Sequence, residues 1–99
     1  MAASPTTADL RRRLKQAEKD RAEIIQLRDY TRSNLTAGIR ELRKLQKQAP
    51  ADKKQLAKNA LDDALAIQKI ANARTKTMLQ DVDRSIRQLR SEIEKRKKG

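Results

Sequence analysis

The sequence predicts an all-α fold: two long helices in an antiparallel, coiled-coil-like hairpin, self-associating into a helical bundle. Three observations predict it. Breakers stand only where a hairpin needs them, at Pro5, at Pro50 in the middle and at Gly99, with Gly38 inside a candidate element. Apolar residues recur at three- and four-residue steps on both sides of Pro50. Of the 99 residues, 38% are charged and 1% aromatic, Tyr30 alone. A thick core normally uses several aromatics, because each buries a large area. A narrow seam of Leu, Ile and Ala does without them.

The first helix opens on Thr6-Thr7-Ala8-Asp9, the spacing of a capping box with Thr6 as N-cap and Asp9 three residues on. It is read as 7–48, ended by the turn 49–51 around Pro50. Asp52-Lys53-Lys54-Gln55 repeats the capping pattern, so the second helix is read as 52–97. At about 1.5 Å per residue each helix is roughly 60–70 Å long. Residues 1–99 are taken as a single helical-hairpin domain.

The apolar faces define a seam. In the first helix it runs through Leu10, Leu14, Ala17, Ile24, Leu35, Leu42 and Leu45. In the second it runs through Ala57, Ala60, Ala64, Ala71, Thr75, Met78, Val82, Ile86, Leu89 and Ile93. A short turn makes the helices antiparallel, with position i near 100 minus i. Arg21 and Arg28 interrupt the seam and are expected to reach its edge and pair with Asp81 or Asp83. Gly38 costs about 1 kcal/mol relative to Ala in a helix interior. It either admits a close approach at Leu61 or, with Thr31, Ser33, Asn34 and Thr36, marks a break that makes three helices.

Missing residue types narrow the function. There is no His, so no side chain titrates near neutral pH unperturbed. There is no Cys, hence no thiolate nucleophile, thiolate metal site or disulfide. A narrow seam offers no dry pocket in which Lys or carboxylates become catalytic. No enzyme activity, cofactor or metal is expected. No apolar run approaches the ~18 residues of a membrane span, and Met1–Thr7 lacks the apolar stretch of a secretory signal. A soluble, intracellular protein is expected. A membrane-surface amphipath fits least, because the apolar faces are rich in Ala and lack Trp and Phe.

The net charge of +12 is unevenly spread. Residues 23–39 with 59–83 hold Arg28, Arg32, Lys69, Arg74 and Lys76 against Glu23, Asp29, Asp62, Asp63, Asp81 and Asp83, a net −1. The chain ends, 1–22 with 84–99, set thirteen Lys and Arg against Asp9, Glu18, Asp20, Glu92 and Glu94, a net +8. Residues 40–58 set seven against Glu41 and Asp52, a net +5. Lys95, Arg96, Lys97 and Lys98 suit a helix C-terminus, but Arg11, Arg12 and Arg13 sit where cations are mildly unfavourable. Folding brings both runs together, as a surface for phosphate backbone requires. The candidate contacts are Arg11, Arg12, Arg13, Lys15, Arg87, Arg90, Lys95, Arg96, Lys97 and Lys98. No base-reading motif accompanies them, so DNA and RNA are not distinguished.

The near-neutral middle points to a partner. At 100° steps, Ile25, Ile39, Leu65 and Leu79 fall to one side of the seam, and Leu27, Tyr30 and Ile70 to the other. A lone hairpin buries neither flank, and a second copy in a four-helix bundle does. Two functions therefore stand. One is a self-associating hairpin, most simply a dimer, that binds nucleic acid through phosphates. The other is a structural or adaptor module of a virion, secretion or inhibitor type, whose flanks dock a protein partner.

Overall fold

The computed structural model describes residues 5–98, the side chain of Lys98 excepted. Helix α1 spans Thr7–Gln48 and helix α2 spans Lys54–Lys98, joined by a turn of 3-10 helix at Ala51–Lys53. There is no strand among the described residues. The two helices pack against each other as a hairpin, so the all-α expectation holds.

The start of α1 forms as its residues dictate. The Thr6 N–H donates to the Asp9 carboxylate at 3.3 Å, and the Asp9 N–H donates to the Thr6 hydroxyl at 3.1 Å. Those two bonds satisfy donors that a helix N-terminus otherwise leaves orphaned. The Thr6 N–H bond above all, and the Thr6 hydroxyl beside it, hold the Asp9 carboxyl below its ordinary range, with Arg12 and Arg13 adding to the effect.

The start of the second helix differs from expectation. Pro50 is extended, and the Lys53 N–H donates to its carbonyl at 2.9 Å, winding Ala51–Lys53 into a 3-10 turn one residue tighter than an α-helical one. Asp52 lies inside that turn instead of capping α2. Gln55 donates to Asn59 instead of reaching back. The α-helix therefore begins at Lys54.

Helix α1 runs unbroken through Thr31, Ser33, Asn34, Thr36 and Gly38, which rules out the three-helix arrangement. The close approach at Gly38 is also absent, because a Cβ added there meets nothing within 4 Å. Gly38→Ala is thus expected to stabilise the chain by about 1 kcal/mol through helix propensity alone. Urea denaturation checks this. A loss of stability would place a packed neighbour over that position.

The chain divides into two compact units, each a stretch of α1 packed on a stretch of α2. The first is Met1–Ile25 with Lys76–Gly99, and the second is Gln26–Thr75. In the first unit Leu10, Ile86 and Ile93 are buried, and Leu14, Ala17, Ile24, Ile25, Leu79, Val82 and Leu89 are half-buried. In the second, Ile39 and Leu61 are buried and Leu35, Leu42, Ala57, Ala60, Ala64 and Ala71 are half-buried.

The seam differs in phase from the expected one. Ile39, expected on an outer flank, is only 5% exposed, whereas Leu45 and Met78, expected inside, are about half exposed. After Leu35 a continued three-residue step would land on Gly38, which has no side chain to bury. The seam takes Ile39 instead, and on α2 it takes Leu61 and Leu79 in preference to their small or flexible neighbours. Each such choice removes more apolar area from water.

The seam arginines divide. Arg21 donates to Asp83 at 2.7 Å across the first unit, as expected. Arg28 does not cross and pairs with Asp29 on its own helix at 3.2 Å. In the second unit Arg32 reaches Asn72 at 3.4 Å. Both cross-helix partners lie about one turn beyond the 100-minus-i position. Side-chain direction accounts for the sign: each Cβ tilts toward its own helix N-terminus, and in an antiparallel pair the two tilts add.

Candidate nucleic-acid interface

The cations that the sequence nominates all lie in the first unit, and those described are exposed. Lys98 belongs to the same run, but its side chain lies outside the described residues. The two chain ends do meet, since the Arg96 guanidinium donates to the Pro5 carbonyl.

Much of this charge is answered locally. Arg12 pairs with Asp9 at 3.6 Å, Arg90 with Glu18 at 3.7 Å and Lys95 with Glu92 at 3.8 Å. Arg84 pairs with Asp81 at 3.9 Å. Arg11, Lys15, Arg87 and Lys97 have no ion-pair partner among the described residues, and Arg13 has only the field of Asp9. Geometry disperses them further. Three consecutive helical arginines point in three directions at about 100° steps, so Arg11, Arg12 and Arg13 do not face one ligand together. A groove of about 590 Å³ lies along Gln80, Asp83, Arg84, Ile86, Arg87 and Arg90, with the Asp83 carboxylate on its wall.

The second unit concentrates charge differently. Arg40, Arg43, Lys44 and Lys47 line one groove of about 400 Å³ with Thr36 and Ile39 of α1 and Leu65 and Gln68 of α2. Steps of three and four residues set these cations in one stripe. Glu41 approaches Lys44 at 3.4 Å. Arg40, Arg43 and Lys47 have no ion-pair partner among the described residues. Ile39 and Leu65 give the groove an apolar wall. None of these four cations was among the candidate contacts. The signal was present as an i, i+3, i+4, i+7 pattern, but counting charge by segment conceals which face it occupies.

The flanks expected to meet a partner also sort out. Ile39 is removed from that set by burial, and Ile25 and Leu79 are half-buried in the seam. Leu65 is about a third exposed, in the cationic groove. Leu27, Tyr30 and Ile70 are exposed, as is Ile67, which the periodicity did not single out. Leu42, Leu45, Pro50 and Leu56 line an apolar groove of about 490 Å³ on the other side of α1 from the cationic stripe. Leu27 lies about five whole turns before Leu45 and so on the same line of the helix. The second unit thus has a cationic flank and an apolar flank.

No helix among the described residues is long and apolar enough to cross a membrane. No family model, curated protein or solved structure matches the chain.

Proposed function

We propose that this chain is a non-enzymatic, basic helical hairpin that self-associates and binds nucleic acid largely through phosphate contacts, with little dependence on base sequence. The observation that carries the reading is the groove with Arg40, Arg43, Lys44 and Lys47 on one face and a single carboxylate beside them. The unpaired cations of the first unit add to it. Cations on phosphates position a protein without reading bases. The one aromatic, Tyr30, is outside the groove, so stacking on bases contributes nothing there.

Binding of the full chain to duplex and single-stranded oligonucleotides across a salt series tests this. Micromolar or tighter affinity near 0.15 M salt, where screening acts over about 8 Å, is the expected result. It should be accompanied by a steep fall of log affinity with log salt. Any protein this basic binds weakly at low salt, so binding that vanishes by about 0.15 M sinks the reading. The assembly-module reading would then take its place. It rests on a separate observation, the exposed Leu27, Tyr30, Ile67 and Ile70 on one unit.

A further inference from the structure

We propose that the exposed face of α2 in the second unit pairs with the same face of a second copy of this chain, antiparallel and about a two-fold axis. This rests on the self-association half of the reading above and not on its nucleic-acid half.

Asp63, Ile67, Ile70 and Arg74 follow one another at steps of four, three and four residues, which makes them a single stripe along α2. Ile67 is 56% and Ile70 53% exposed. Asp63 and Arg74 are exposed and have no ion-pair partner among the described residues. The order along the helix is acid, aliphatic, aliphatic, base, with the same spacing read from either end. Inverted and laid on itself, such a stripe sets Ile67 against Ile70 of the second copy and Asp63 against Arg74 of the second copy. The two-fold axis repeats each contact. That is the self-complementarity an isologous interface demands. A wholly acidic or wholly basic partner matches only one end of it.

The rest of the unit agrees. Ile67 lies about 200° around α2 from Leu65, which faces the cationic groove. Two copies therefore meet without opposing Arg40, Arg43 and Lys47, and both grooves stay open. Leu27 and Tyr30 of α1 widen the apolar area.

Sedimentation velocity of the full chain over a micromolar concentration series tests the pairing, with circular dichroism confirming unchanged helicity. The wild type is expected to dimerise. Asp63→Arg and Arg74→Asp each set like charges together twice and should weaken the dimer roughly tenfold or more. Mixing the two variants should give a heterodimer, and the double variant D63R/R74D should recover the homodimer. Ile67→Ser with Ile70→Ser should leave a helical monomer. A wild type that stays monomeric overturns both the pairing and the self-association it rests on. A dimer indifferent to the reversals, or weakened by both and rescued by neither mixing nor the double variant, overturns the pairing alone.

Discussion

Ile39→Ala is expected to lower the unfolding free energy by about 2–4 kcal/mol, while Leu45→Ala lowers it by less than about 1 kcal/mol. Denaturant unfolding at one fixed protein concentration measures both, since self-association makes apparent stability depend on concentration. The pair is informative because the two residues have nearly the same chemistry and lie six positions apart on one helix. Ile39 is buried against α2, and removing its aliphatic atoms leaves a cavity that a rigid helix pair closes only partly. Leu45 already meets water over half its surface. Only Leu10, Ile39, Leu61, Ile86 and Ile93 are buried hydrophobics among the described residues. A seam with so few anchors has little to compensate for the loss of one. If Leu45→Ala proves the costlier change, the seam runs where simple periodicity put it and the assignment of Ile39 is wrong.

Ile39 and Leu45 also mark how far the sequence could be read. The breakers located the hairpin because proline acts locally: Pro50 lacks an N–H and restricts its neighbour whatever the tertiary structure. The capping box at Thr6 and Asp9 was legible for the same reason. At the second helix the same local logic placed the start two residues early, because a 3-10 turn takes the Pro50 carbonyl. The phase of the seam was harder. It is decided between neighbouring candidates such as Gly38 and Ile39, or Leu45 and Gln46, by which side chains fill the space facing the other helix. The same holds for Arg28, whose partner Asp29 is adjacent in sequence and needs no register at all. The charged site was legible in sum and not in arrangement. Segment totals favoured the chain ends at +8 over residues 40–58 at +5, but pairing with carboxylates and dispersion around the helix reverse that order when unpaired cations sharing one face are compared.

The second large effect follows from that reversal. Replacing Arg40, Arg43 and Lys47 by Gln should reduce the slope of log affinity against log salt by about 3, one for each phosphate no longer neutralised. The first and last are seven steps apart along α1, roughly 10 Å, over which one DNA strand presents about three phosphates. Replacing Arg11, Arg12 and Arg13 by Gln should change the slope by only about 1, since a phosphate strand meets one of three diverging arginines. Arg12, moreover, is already engaged by Asp9. Lys53, Lys54 and Lys58 changed to Gln give the necessary control, removing the same charge from the same unit outside the cationic groove. Each triple variant removes three positive charges from exposed positions, so helicity should be retained and net charge is matched. If the three variants lower the slope equally, only total charge matters and the groove is no site. If the Arg11–Arg13 variant has the largest effect, phosphate lies along the chain ends and the dispersed geometry is no obstacle. A slope that falls chiefly with Arg40, Arg43 and Lys47 assigns phosphate binding to a face of α1, because charge alone distinguishes neither that face from its control nor one unit from the other.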